Sequence, residues 1–380
     1  MSRNILRNLH YREVGDDCNS KQFFTSNYFN EGMMSRLRVE KSVSIVNDTS
    51  SNVLQCCSWN NNGSLLCYGQ YSKGVLIFQP FQACKNKIPI SQGHFLVDSI
   101  FLSSYDRLLA TATRSYSNAV WDESTGLCFN EKLKIWDVEK AEAVRFYNFK
   151  GFMHKVSTSR AAPNCLWLNK NPRIDSILEV DIRDPGYRSF YLSERSEANE
   201  LSYKRFDVNP VNERIIMIGE NNRVCFYDRR TMTSQSPTKP FKTIDTGTLD
   251  KSALVRVGFS PDGRNVLLTK VSGLSPKHFI NTQGNDDFLE LKMPMMPETA
   301  GMMTGKSCFL GDRHVIFDTY FRNHWTVFEF GEGSPRCIGS IEAPHNPDFT
   351  SNVLSMAHPL HCLIAVANQG FIHYISPTAF

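Results

Sequence analysis

Residues 201–230 read LSYKRFDVNPVNERIIMIGENNRVCFYDRR, three short β-rich runs separated by two turns. The first run alternates through Tyr203, Arg205, Phe206 and Val208 and stops at Asn209-Pro210-Val211-Asn212. The second, Ile215-Ile216-Met217-Ile218, ends at Gly219, and Glu220-Asn221-Asn222 turns the chain into the third. That third run, residues 223–227, closes on Asp228-Arg229-Arg230. Turn residues between β-branched runs predict an antiparallel meander. Its second and third runs are apolar at successive positions, so both faces need cover that one meander cannot supply. Copies of the unit must supply it.

Those copies are present on both sides. NVLQCCSWNNNGSLLCYGQYSKGVLIFQP (52–80) repeats the order strand, turn, strand, turn, strand. Further copies begin near Val97, Val156, Val255, Ser307 and Val353, which with Val53 and Tyr203 makes seven, spaced by about 44 to 59 residues. A four-stranded propeller blade of the WD type takes about 40–45 residues, so insertions account for the excess. The pattern predicts an all-β, seven-bladed WD-repeat β-propeller over residues 41–380, preceded by an N-terminal helical docking arm over residues 1–40. The seventh copy stops after three strands near Ile375. Its fourth is expected from residues 36–39 or 42–45, which would join the two ends of the chain and leave no open sheet edge.

In the arm, Ile5, Leu6 and Leu9 fall on one side of a short amphipathic helix, with Arg3, Arg7 and Glu13 around it, before Gly15 breaks it. Two stretches depart from the blade pattern. Residues 115–131, with Tyr116, Trp121 and Phe129, split the second copy, and residues 272–290 elaborate the fifth, which has a later strand near His278 to Thr282; both stretches are otherwise expected to be surface loops.

Composition narrows the function classes. Lys and Arg number 42 against 38 Asp and Glu, a net charge of +4 that gives no argument for a nucleic-acid backbone partner. Eleven cysteines, none in C-x-x-C pairs and several inside apolar runs, read as small buried hydrophobes in a reducing compartment. No segment has the length of a signal peptide core or a membrane span. An intracellular location, cytoplasm or nucleus, is expected.

Catalytic signals are weak. AGMMTGKS (300–307) misses a P-loop by Ala300 in place of the first Gly, and its Ser307 enters a strand rather than a helix. His358, His361 and Cys362 form HPLHC without a second ligand cluster, which favours a turn over a metal. No G-x-S-x-G or H-E-x-x-H occurs. No catalytic residue, metal or cofactor is expected.

Asp-x-Arg closes two successive copies, as Asp181-Ile182-Arg183 and Asp228-Arg229-Arg230, 47 residues apart. Residues after the third strand emerge on one rim, so Arg183 and Arg230 are expected on neighbouring blades and the same face. Each Asp can brace backbone amides or its own Arg, while the guanidinium offers a planar fork to a partner's carboxylates or carbonyls. Stapling of each blade by its own Asp-Arg pair remains the alternative.

SWNNNGSLLCYG, LKIWD, VGFSPDGRNVLLT and VCFYDRR resemble the strand-turn-strand grammar of WD-repeat propellers. Over nearly its full length the chain is similar to the DCAF-type substrate receptors of cullin-4 ubiquitin ligases. Those carry Trp-Asp-x-Arg at the ends of consecutive blades, matching Asp181/Arg183 and Asp228/Arg230, with Val180 and Tyr227 in place of the Trp. The resemblance implies a non-catalytic substrate receptor. Its rim and its arm, with Ile5, Leu6 and Leu9, would dock on the DNA-damage-binding adaptor protein, and its other rim would recruit a protein target. A general WD-repeat scaffold in another complex is the alternative function.

Overall fold

In the computed structural model the first strand of each repeat is hydrogen-bonded to the second, the second to the third and the third to a fourth, giving seven four-stranded antiparallel sheets. The structure describes residues 36–45, 54–90, 93–103, 105–122, 126–150, 152–171, 175–193, 205–220, 223–246, 253–272, 275–281, 288–291, 308–311, 313–319, 324–330, 334–342, 354–367 and 370–377. The opening stretch forms blade 4 from Arg205–Val208, Ile215–Glu220, Arg223–Asp228 and the outer strand Lys242–Asp245. Blades 1 to 3 start at Leu54, His94 and Phe152, and blades 5 to 7 at Ala253, Cys308 and Leu354.

The ends of the chain meet in blade 7. Leu37–Ser44 pairs antiparallel with Phe371–Pro377, from Leu37 opposite Pro377 to Ser44 opposite Phe371. Both candidate segments for the closing strand are therefore one strand, with a bulge between Val39 and Lys41. A boundary drawn at residue 40 falls inside it. Residues 1–35, and with them the expected helical arm and Ile5, Leu6 and Leu9, lie outside the described residues.

Successive apolar residues in a strand serve two interfaces, because neighbouring side chains point to opposite faces. In blade 4, Ile216, Ile218, Cys225 and Tyr227 pack with Trp167 and Ile177 of blade 3. The residues between them, Met217, Val224 and Phe226, pack with Val257, Leu268 and Phe279 of blade 5. Phe206 is fully buried in the first of these seams. Seven such clusters occur, one for each blade-to-blade interface, including blade 7 to blade 1. The core is thus a ring of seams, each stabilised by removing apolar surface from water.

The first expected loop is corrected by the structure. Residues 115–122 and 126–131 continue the middle strands of blade 2, which run as Leu108–Asp122 and Gly126–Asp137 and are paired out to Asp122 opposite Gly126, with a register shift between Ser115 and Val120. Extension of the ladder satisfies backbone groups that a loop would leave to water. In blade 5, residues 272–290 hold the third strand Ser275–Asn281, paired with the second out to Ser272 opposite Ser275, and the short outer strand Leu289–Glu290. The strand expected near His278 is thus Ser275–Asn281, and the described residues of that stretch are mostly sheet.

Candidate protein-interaction rim

Every third strand in the ring ends on the same rim, and Leu37, paired with Pro377 at the end of one, enters the ring there too. Asp181 and Asp228 terminate the third strands of blades 3 and 4 on this rim. Asp181 Oδ1 accepts hydrogen bonds from the backbone N–H and Nε of Arg183, both at 3.0 Å, and Oδ2 accepts from Nη2 at 2.6 Å. Asp228 repeats the arrangement, with the Arg230 backbone N–H at 2.9 Å, Nε at 3.0 Å and Nη2 at 2.5 Å. The carboxylate closes the turn and forks the guanidinium at once. Hydrogen bonds from Arg230 hold the Asp228 carboxyl down at about 2, and Arg183 lowers Asp181 in the same way. Both arginines remain mostly exposed, at 70% and 63% of the side chain, so each presents its outer edge to solvent.

The residue between them in sequence behaves differently. Arg229 turns inward from blade 4 and pairs through Nε and Nη2 with both carboxylate oxygens of Glu179 in blade 3. Glu179 is almost fully buried, so this ion pair locks the seam directly behind the rim. A Glu inside the run ILEV carries no sequence mark of such a role; only the register that places it beside blade 4 reveals it. Arg183 and Arg230 are therefore the outward cations and Arg229 the inward one.

Around them the rim carries apolar surface. Tyr187, in the turn after Arg183, is exposed and packs edge-on against Phe149 of blade 2 at 5.0 Å. Tyr147 donates its hydroxyl to the Asp184 carbonyl at 2.9 Å, fixing the same turn from the blade 2 side. Phe241, 59% exposed, and Val211, 53% exposed, add further apolar groups from blade 4 turns. Aromatic and arginine side chains together are the residue types that dominate protein interfaces.

Hydrogen bonds from turn to turn stiffen the rim. His358 Nε2 meets the Gly63 carbonyl at 3.0 Å, and Asn60 Nδ2 donates to the Asp106 carbonyl at 2.8 Å. Ser103 Oγ donates to Ser159 O, Ser159 Oγ to Asn209 O and Asn209 Nδ2 to Gly263 O, each at 2.8 Å. These bonds connect blades 7, 1, 2, 3, 4 and 5 in order. Gly63 and Gly263 have φ of +73° and +72°, and a Cβ on either would strike the donating His358 ring or Asn209 amide. HPLHC is accordingly a turn: His358 Nδ1 accepts from the N–H groups of Leu360 and His361, both at 3.0 Å. Among the described residues no group of three His, Cys, Asp or Glu could hold a metal. The P-loop-like residues 300–307 lie outside the described residues.

The missing motif tryptophans have a local reason. Trp136 of blade 2 sits opposite Leu109 and donates Nε1–H to Thr111 Oγ, two residues further along that strand, at 2.9 Å. Val180 sits opposite Leu166 and Tyr227 opposite Ile216, which puts Leu168 and Ile218 where Thr111 stands. An indole N–H in those blades would face a hydrocarbon instead of a hydroxyl, and burying an unpaired donor is unfavourable. The motif Trp and its hydroxyl are absent together.

No family model matches the chain, and no curated protein matches it. Among solved structures it is similar to the Myceliophteria thermophila Cps50 (Swd1) β-propeller domain, at 15% identity and TM-score 0.59, covering 90% of this chain and 100% of that one. It is also similar to a chain of the mitotic checkpoint complex, at 13% identity and TM-score 0.61, covering 89% of this chain and 91% of that one. The fold is a seven-bladed β-propeller. At these identities the likeness establishes architecture alone, and the architecture is consistent with a WD-repeat protein. No helix among the described residues is long and apolar enough to cross a membrane.

Proposed function

We propose that this propeller is a non-catalytic protein-interaction subunit, and within that class a substrate receptor of a cullin-4 ubiquitin ligase. In this reading the rim bearing Asp181, Arg183, Asp228 and Arg230 docks on the DNA-damage-binding adaptor protein, assisted by the segment before Leu37 with Ile5, Leu6 and Leu9. The opposite rim is left for a protein target. The observation that carries the reading is the repeated geometry of the two Asp-x-Arg turns, which hold two exposed guanidinium edges on successive blades of one rim. Pre-arranged forks of this kind engage carboxylates or carbonyls with little loss of side-chain freedom.

One observation favours a second reading, a scaffold in some other intracellular complex. Each guanidinium is already engaged by its own carboxylate, which is what a pure turn staple would do. Pull-down of the adaptor with the wild-type chain and with Arg183→Ala/Arg230→Ala separates the two. Binding that the double variant loses supports the receptor; a folded wild type that binds no adaptor supports the scaffold.

A further inference from the structure

Five Ser-Pro dipeptides occur in the chain, at Ser236, Ser260, Ser275, Ser334 and Ser376. A proline-directed protein kinase uses such a serine as its phosphoryl acceptor where the hydroxyl is exposed and the chain can lie extended across the kinase cleft. A cation three residues further on adds a charge contact. The fold sorts the five by these requirements. Ser260 is fully buried and donates to Asp262. Ser275 and Ser376 are held in strands, opposite Ser272 and Arg38. Ser334 is exposed, but Cys337 stands three residues on. Ser236 is exposed, and exposed Pro237 and Lys239 follow it in the order Ser-Pro-x-Lys.

Ser236 sits in the connection from the third strand of blade 4 to the outer strand Lys242–Asp245, on the rim that carries Arg230. The connection is fastened to the outer strand of blade 3 at two points. Thr233 O accepts from the Tyr191 N–H at 2.8 Å, and the Thr238 N–H donates to Tyr191 O at 3.1 Å. Met232 and Thr238 are buried, whereas residues 233–237 between them are all exposed and lie in neither helix nor strand. Within that span the Ser236 N–H donates to Thr233 Oγ1 at 3.2 Å, and the two hydroxyl oxygens are 3.1 Å apart. The neighbour of the Ser236 hydroxyl is thus another exposed hydroxyl, a contact that water can replace at little cost. Pro237 disfavours a helical conformation at Ser236, which suits the extended form a kinase cleft binds.

We propose that Ser236 is a phosphorylation site for a proline-directed Ser/Thr kinase that reads Ser236-Pro237-Thr238-Lys239. In the transfer, the bond between the γ-phosphorus of ATP and its bridging oxygen breaks and a bond from Ser236 Oγ to that phosphorus forms. The hydroxyl proton goes to the kinase's base, and ADP leaves with the electron pair. The product carries about −1.5 to −2 charge on a rim that presents the exposed guanidiniums of Arg183 and Arg230. Six residues from Arg230, that charge would oppose the approach of an acidic partner surface. This consequence rests on the rim-docking reading; the modification itself does not.

Incubation of the folded full chain with ATP, magnesium and an active cyclin-dependent kinase–cyclin complex, followed by peptide mapping in a mass spectrometer, tests the proposal. No adaptor is present, so the result is independent of docking. The expected result is phosphate on Ser236, at an initial rate lowered about tenfold in Lys239→Ala, which loses the charge contact. A synthetic peptide of residues 229–244 presents the same sequence without the fold. If the peptide is modified while the folded chain stays unmodified at Ser236, the loop shields its hydroxyl and the proposal is overturned. A peptide that is not modified overturns it as well, and so does an unchanged rate in Lys239→Ala. The Lys239 side chain is exposed, so Lys239→Ala should melt like the wild type and its slower modification reads recognition, not folding.

Discussion

Blades 2 and 4 solve one packing problem with different chemistry. Blade 2 buries Trp136 of the dipeptide Trp136-Asp137 against Thr111 with a hydrogen bond between them. Blade 4 places Tyr227 in the corresponding position above Ile218 and fills the seam with Phe206, Val208 and Trp167. Behind its rim a buried ion pair, Glu179 with Arg229, supplies a polar link. The difference teaches that ring closure depends on apolar seams of matched shape. The polar signature of a WD blade is one way of finishing a seam and can be exchanged for another.

The comparison can be broken most directly at Phe206. Phe206→Ala empties the centre of the blade 3–4 seam and should cost about 3–5 kcal/mol in denaturant unfolding. A loss below about 1 kcal/mol would mean that this seam is not the core described. Arg229→Ala should cost about 3 kcal/mol, because it leaves the Glu179 charge buried without its cation. Equal stability of Arg229→Ala and wild type would remove the ion pair from the account.

Acid gives a third contrast, at the closing blade. His373 in blade 7 bonds through Nδ1 to Ser42 of the closing strand at 2.8 Å, and burial lowers it from 6.5 to about 4. A depressed histidine binds fewer protons folded than unfolded. Its contribution is therefore complete above about pH 6.5 and falls away as pH drops towards 4, by on the order of 3 kcal/mol. His373→Gln should flatten that limb of the stability–pH curve, while Phe206→Ala should lower the whole curve without changing its slope there. A His373→Gln profile that keeps the wild-type slope would place the acid sensitivity elsewhere.

Blade 4 can also be made to resemble blade 2. Tyr227→Trp should cost about 1–3 kcal/mol through an unpaired indole N–H, and adding Ile218→Thr should return part of that loss. A double-mutant cycle with no coupling would contradict the explanation for the missing tryptophans. The smallest stability effect belongs to Arg183→Ala/Arg230→Ala, whose side chains lie in solvent. Its melting temperature should match the wild type, so that any loss of partner binding reports on the surface and not on the fold.

The sequence by itself determined the repeat. Asn-Pro-Val-Asn, Asn-Asn-Asn-Gly and Ser-Pro-Asp-Gly mark turns locally, and runs such as Ile215 to Ile218 demand cover on both faces, which only neighbouring copies give. Seven such copies, a three-stranded last one and spare strand residues before residue 45 implied a closed ring. The two Asp-x-Arg turns were legible for the same reason, since their hydrogen bonds join residues two apart.

Tertiary structure alone decided what depends on contact between residues 50 or more positions apart. Glu179 meets Arg229, Asp207 touches both blade 3 and blade 5, and His358 reaches Gly63 across the closure of the ring. It also turned residues 115–122 and 126–131 from an expected loop into strand, because pairing between Leu108–Asp122 and Gly126–Asp137 satisfies backbone groups whatever the side-chain pattern. Local periodicity records which faces are buried, but not which blade covers them. That choice is fixed only when the ring closes and each alternate side chain is given a neighbour.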